Sequence, residues 1–246
     1  MKLFDALIRN AGERFGSSAP RRYPYAPEKA WPESGSFELV MLRDAACELG
    51  GAYGVNFTCV TSDAALVPTD EIVVYGNDLA DLPQDAPYAR IAFLRVGEGE
   101  NGLAGENGED TEAAFRAIQH MDFVKYHVFP TGFMLRTSSD AGREQVRLSK
   151  AAVRDGISFE AVGNTFLRRY KQDPHVLAVK LLFITAPDAD YAALQKEAVT
   201  AKDILLTLSK IMEGLPTDCN TCALNPVCEE VEGMRELHFG KARQDK

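Results

Sequence analysis

Val176-Leu-Ala-Val-Lys-Leu-Leu-Phe-Ile-Thr185 restricts the possible folds of this chain more than any other segment. A near-continuous apolar run of this kind reads as a strand buried on both faces, hence a central strand with layers packed above and below it. A long helix is predicted next, from about Tyr191 to Met212, with Ile204, Leu208 and Ile211 facing inward. Upstream, Val55-Asn-Phe-Thr-Cys-Val-Thr61 alternates, which puts Cys59 on the Val55/Phe57 face as a small buried thiol. Cys47 reads the same way. Phe37 to Leu42, Ile72 to Tyr75 and Ile91 to Val96 are further strand candidates, with turn chemistry at Gly76-Asn-Asp. Phe123 to Phe129 reads as a strand carrying His127 on the face of Phe123, Lys125 and Phe129. Gly132 to Arg136 and Gln145 to Leu148 read as short strands or a hairpin.

Helices are expected over residues 2–15, from Thr111 through His120, and after Ser158, which serves as an N-cap before Phe159, Val162, Phe166 and Tyr170. Pro20, Pro24, Pro27 and Pro32, with Tyr23, Tyr25 and Trp31 among them, exclude regular helix and central strand up to Gly35. That stretch reads as an extended arm anchored on the body by its aromatics, or as an arm that binds a partner. Between Gly97 and Asp110 five glycines and five carboxylates make a mobile acidic loop. Strands cluster early and helices late. The expected class is therefore α+β, a mixed or antiparallel sheet with packed helices and a C-terminal helical segment carrying cysteines. Three parts follow: 1–35 as helix and arm, 36–190 as the α+β body, and 191–246 as the C-terminal helices.

The chain has 246 residues and a net charge of −9, which argues against nucleic acid as the main partner. No apolar stretch approaches a membrane span, and Asp5, Arg9 and Glu13 interrupt any signal-peptide core, so a cytoplasmic location is expected. A reducing compartment keeps the five cysteines as thiols, better suited to metal than to a disulfide framework.

Three of those cysteines fall within ten residues, as Cys219-Asn-Thr-Cys222-Ala-Leu-Asn-Pro-Val-Cys228. A C-x2-C pair turns two sulfurs inward from one tight turn, as thiolates do around one metal or one cluster edge. Asn225-Pro226 reads as N-cap and N1 of a helix with Val227, Val231, Met234 and Leu237 along one side. That helix places Cys228 in its first turn, where the dipole favours a thiolate. The fourth ligand is His238 of the same helix, Cys47, Cys59, a partner's residue or an exogenous group. An iron–sulfur cluster and zinc both suit the spacing; a metal-free turn or a disulfide is the plain alternative.

Residues 131–172 are the one basic region: Arg136, Arg143, Arg147, Lys150, Arg154, Arg168, Arg169 and Lys171 against four acids. They suit a phosphorylated ligand or an acidic partner, or they pair with acids elsewhere in the fold. No Walker loop, G-x-G-x-x-G or G-x-S-x-G occurs, and no nucleophile–base pair stands out, so no catalytic residue is assigned.

Gln145-Val-Arg-Leu-Ser-Lys-Ala-Ala-Val-Arg-Asp-Gly156, Val162-Gly-Asn-Thr-Phe-Leu-Arg-Arg-Tyr-Lys-Gln172 and Val179-Lys-Leu-Leu-Phe-Ile-Thr185 together resemble the middle region of acetyl-CoA synthase. This is the synthase component of the CO dehydrogenase/acetyl-CoA synthase complex of anaerobes. Ser36-Phe-Glu-Leu-Val40 and Asp70-Glu-Ile-Val-Val-Tyr-Gly-Asn-Asp-Leu79 extend the resemblance upstream. Cys219-x2-Cys222 falls where that family begins its cluster ligands. The resemblance spans roughly Ser36 to Cys222, in order and with gaps. It implies an iron–sulfur cluster of the [4Fe–4S] type at Cys219, Cys222 and Cys228. It implies CO dehydrogenase or a corrinoid iron–sulfur protein as partner, and a CoA-like phosphorylated ligand, for which Arg143, Arg147 and Lys150 are the candidate contacts. The family has four cluster cysteines, a preceding large domain and a Cys-Gly-Cys unit for nickel. None of these is in this sequence, so the resemblance implies a stand-alone domain rather than a complete nickel–iron–sulfur centre.

Overall fold

The structure is a computed structural model that describes residues 3–97, 108–138, 142–214, 220 and 222–225, by backbone alone for 108–113. In chain order the elements are α1 (Asp5–Gly12), β1 (Arg21–Pro24), β2 (Ala45–Thr61), β3 (Glu71–Tyr75), β4 (Asp85–Val96) and α2 (Gly108–Val124). There follow β5 (Phe133–Ser138), β6 (Arg143–Ser149), α3 (Lys150–Arg154), α4 (Phe159–Tyr170), β7 (Val176–Ile184) and α5 (Tyr191–Met212). The seven strands make one mixed sheet in the order β1-β3-β7-β4-β2-β6-β5. Strand β7 is parallel to β3, and β4 is parallel to β2; the other neighbours run antiparallel. The α+β class holds.

The apolar run at 176–184 takes an interior place between β3 and β4, with Val179, Leu181, Leu182, Phe183 and Ile184 fully buried. Its two faces are covered by different helices. Phe183 stacks on Phe159 of α4, on the face that also carries Tyr88. On the opposite face Thr61 of β2 donates to Asp5 of α1 at 2.7 Å, and α1 packs on α5. Helix α5 keeps its expected bounds because Leu194, Ala198, Ala201, Ile204, Leu208 and Ile211 repeat at three or four residues and all are buried. The Asp190 carboxylate caps it, accepting from the Ala193 N–H at 2.9 Å. Ser158 caps α4 as its sequence predicts, accepting from Ala161. Among the described residues no helix is long and apolar enough to cross a membrane.

The proline-rich arm lies along α4. Ala26 N–H donates to the buried Asn164 side chain at 2.7 Å, Thr165 donates to the Trp31 carbonyl, and the Trp31 indole N–H reaches Thr131 O at 2.8 Å. Residues 21–24 add β1 as an edge strand, the one sheet position where Pro24 is harmless.

Two expected strands do not form. Phe37 to Leu42 runs beside β5 without a backbone ladder. The Val40 N–H meets the Met134 sulfur and Val40 O accepts from Arg147, so the segment's inward contacts go to side chains. Phe37, Leu39, Met41 and Leu42 stay exposed. Phe123 to Phe129 is the end of α2 and a turn. The helical spacing of Ala114, Phe115, Ile118 and Met121, all buried, carries the helix past His120. His127 then packs one turn on from Phe123, with ring centroids 4.3 Å apart. The acidic loop lies mostly outside the described residues, and its last residues, from Gly108, already belong to α2.

Candidate functional site

The ladder of β2 with β4 is interrupted at Gly50-Gly-Ala-Tyr-Gly54. Leu49 pairs with Ala86 and Gly54 with Tyr88, so residues 50–53 oppose Pro87 alone and form a wide, glycine-rich bulge loop within the strand. Pro87 offers no N–H to the ladder, which makes this the natural place for the interruption. The start of β6 passes directly over the loop. A Cβ on Gly54 would lie 1.9 Å from the Glu144 carbonyl oxygen, and one on Gly50 2.4 Å from it. The Gly142 carbonyl accepts from Asn56 N–H at 2.7 Å and fixes the crossing.

This crossing places Glu144 inside the protein, against Arg90 of β4. The pair is bidentate, Nε to Oε1 at 2.8 Å and Nη2 to Oε2 at 2.5 Å, and side-chain exposures are 1% and 0%. Thr137 donates to the same carboxylate at 2.9 Å, and the guanidinium sits 4.1 Å above the Phe166 ring. Burial alone lowers the Arg90 pKa, but the Glu144 charge and hydrogen bonds more than offset it and leave it raised. The Tyr88 hydroxyl lies beside this pair and that of Tyr170 near Thr58, yet neither makes a hydrogen bond of good geometry with a described residue.

Burial pushes the Cys47 thiol up to about 11 and the Tyr170 phenol up to about 12, and holds Cys59 and Tyr88 well above their ordinary values. In the unfolded chain these groups ionise near 9.0 and 10.0 while the folded protein keeps them neutral. Their contribution is fully present below pH 9 and declines as pH rises toward the folded values. Urea midpoints measured from pH 7 to pH 11 are therefore expected to fall above pH 9. Tyr170→Phe should flatten that decline above pH 10 by about 1 kcal/mol per pH unit. A flat profile in the parent protein would show that these groups are not desolvated.

Two grooves open on either side of the glycine loop and share Gly51 and Ala52. The larger, about 760 Å³, is bounded by Tyr53, Asp85, Pro87, Pro187 and Tyr191. Tyr53 stacks on Tyr191 with ring centroids 6.3 Å apart, and the Tyr191 hydroxyl is tied to Ala186 O at 3.0 Å. The smaller, about 350 Å³, is bounded by Gly54, Arg136, Thr137, Ser138, Arg143 and Gln145.

The predicted phosphate contacts part company here. Arg143 is exposed and lines the smaller groove. Arg147 is bound to Glu48 and to Val40 O, and Lys150 donates to Arg43 O at 3.0 Å. Half of the basic region is paired with acids elsewhere: Arg147 with Glu48, Arg168 and Arg169 with Glu33, and Lys171 with Asp70. The glycine loop has a sequence signal, three glycines in five residues, and no named motif contains it.

Of the predicted metal ligands, Cys219, Cys228 and His238 lie outside the described residues, as does the helix expected after Pro226. Cys222 is described as a free, half-buried thiol. Its turn is held on the body: Leu224 is 0% exposed, Cys222 and Ala223 pack on the core, and Asn225 N–H donates to Cys222 O at 3.1 Å. Cys47 and Cys59 are buried thiols, as read from the sequence; burial and nearby carboxylates work against a thiolate at both, and at Cys59 the Lys125 charge offsets this only in part. Among the described residues no three His, Cys, Asp or Glu side chains converge to hold a metal.

No protein-family model matches the chain, and no curated protein matches its sequence.

Proposed function

We propose that this chain is an iron–sulfur protein related to the middle region of acetyl-CoA synthase, with an accessory or electron-transfer role in anaerobic one-carbon metabolism in the cytoplasm. Cys219, Cys222 and Cys228 hold the cluster, and three protein thiolates leave one iron for His238, a partner's residue or a small molecule. The observation that carries the reading is the seating of the Cys222 turn. A C-x2-C pair on a free tail pays the full ordering entropy on metal binding, whereas Leu224 already fixes the Cys222 end of this one against the core. The partners this reading calls for are CO dehydrogenase or a corrinoid iron–sulfur protein.

Anaerobic purification with metal analysis and optical and EPR spectra tests it. The expected result is a brown protein with about four irons per chain and no zinc. Cys222→Ser is expected to lose most of the iron while its thermal melt in the metal-free form stays at that of the metal-free parent. One zinc per chain and no iron would replace the cluster with a structural zinc site. Carbonyl exchange seen only with added partners would make the chain a subunit in acetyl-CoA synthesis rather than an accessory protein.

A further inference from the structure

The glycine loop holds three glycines, and the fold accounts for only two of them. Gly50 needs a left-handed φ of +75°, and Gly50 and Gly54 both sit against the Glu144 carbonyl. Gly51 has neither reason. Its φ is not left-handed, and a Cβ built on it meets nothing within 4 Å. Yet Gly51 lines both large grooves, and also a small recess of about 110 Å³ beside Arg136 and Arg147. What a side chain at position 51 would occupy is the shared space of the grooves.

We propose that the two grooves form one binding site for a mononucleotide-class ligand, with its aromatic base against Tyr53 and its phosphate carried over Gly51 and Ala52 to Arg136 and Arg143. Tyr53 is 56% exposed although its ring already stacks on Tyr191, and the hydroxyl of Tyr191 is fixed by its carbonyl partners. A rigid, half-open aromatic pair at the wall of an apolar groove takes a further planar ring at little entropic cost. At the other end Arg136 and Arg143 face the groove with no ion-pair partner among the described residues, whereas Arg147, Arg154, Arg168 and Arg169 are each paired with a carboxylate. Two guanidiniums without an ion pair among the described residues are a local exception on a chain of net charge −9, and their planar forks match phosphate oxygens. Asp85, on the wall of the aromatic groove, supplies a carboxylate acceptor for ribose hydroxyls. The groove volumes suit a small molecule, for which sites run roughly 300–1,000 Å³. With no Walker or G-x-G-x-x-G motif in the sequence, recognition here rests on side chains and an open loop rather than on a helix-start phosphate cradle. The site uses none of the cysteines and stands apart from the metal reading.

Calorimetric titration of the full chain with AMP, adenosine and inorganic phosphate tests the proposal. AMP is expected to bind, and adenosine and phosphate each to bind roughly tenfold or more weakly. Arg136→Gln with Arg143→Gln should bring AMP down to the affinity of adenosine and leave adenosine unchanged. Tyr53→Ala should weaken AMP and leave phosphate unchanged. Gly51→Leu should abolish AMP binding with the melting temperature unchanged; if that variant does not fold, the arginine pair and Tyr53 decide alone, since both are exposed. No heat with AMP at millimolar concentration overturns the site. Equal affinity for AMP and phosphate overturns its aromatic half, and equal affinity for AMP and adenosine overturns its arginine half.

Discussion

Glu144→Leu is expected to destabilise the protein by about 3–5 kcal/mol, and Arg90→Met by a similar amount. Each single change leaves its partner charged and buried. Without Glu144, the guanidinium keeps the Phe166 ring and the neutral Tyr88 hydroxyl near it but loses its carboxylate, and the Thr137 hydroxyl loses its acceptor. Without Arg90, the carboxylate keeps the Thr137 hydroxyl and no counter-charge. For a chain of this length the loss corresponds to a fall in melting temperature of roughly 6–20 °C. The double variant Arg90→Met/Glu144→Leu is expected to recover most of it, because two apolar side chains fill the same space with no charge to desolvate. Differential scanning calorimetry of the four proteins gives the coupling directly. If the double variant is as unstable as the sum of the singles, the pair matters through packing and not through charge. The raised Arg90 pKa sets the sign for pH. The contribution of Arg90 is complete below the ordinary arginine value and would fade only above it, so these differences should persist across neutral and acidic pH as far as Arg90 is concerned.

That pair was hidden in the sequence for a physical reason. Arg90 interrupts the run Tyr88-Ala-Arg-Ile-Ala-Phe93, an anomaly visible by eye, but Glu144 stands between Arg143 and Gln145 and looks like any surface residue. The two are 54 residues apart and meet only because β6 crosses the glycine loop. Local patterns, by contrast, carried the elements whose burial is regular. The unbroken apolar run placed β7, and periodicity and a capping residue placed the hairpin β5–β6, the Ser158 cap and both ends of α5. Periodicity failed at Phe37 to Leu42, where Val40 alone of the six is buried and the contacts of Glu38 and Val40 go to Gly132, Met134 and Arg147 rather than to a ladder. Alternation reports which side chains are covered and not whether the backbone pairs. At Phe123 to Phe129 the alternate placing of Phe123, Lys125, His127 and Phe129 suggests a strand, and the helical spacing behind it decides the outcome. For the candidate site, composition showed a basic region, but the fold pairs half of it with acids elsewhere and leaves Arg136 and Arg143 at the groove. Of the cysteine cluster, the turn at Cys222 is the portion that falls within the described residues.

Gly54→Ala should be as damaging as the loss of the ion pair, at about 3 kcal/mol or more, although it adds a single methyl group. The added carbon would sit 1.9 Å from Glu144 O and 2.8 Å from Gly50 O, and both are backbone atoms that no rotamer change can move. The start of β6 has to lift away. Lifting it stretches the bond from Asn56 N–H to Gly142 O and draws the Glu144 carboxylate off Arg90. The strain therefore includes part of the buried pair's loss, and the two effects cannot add. In the Arg90→Met/Glu144→Leu background the same Gly54→Ala change is expected to cost less, since the strand that lifts no longer carries a charge away from its partner. Gly51→Ala, three residues earlier with open space around its missing side chain, should change stability by no more than about 0.5 kcal/mol. Urea denaturation of these variants, read at a common slope, separates the cases. If Gly54→Ala is as mild as Gly51→Ala, the β6 crossing is looser than 1.9 Å implies, and Glu144 must be held inside by Arg90 alone.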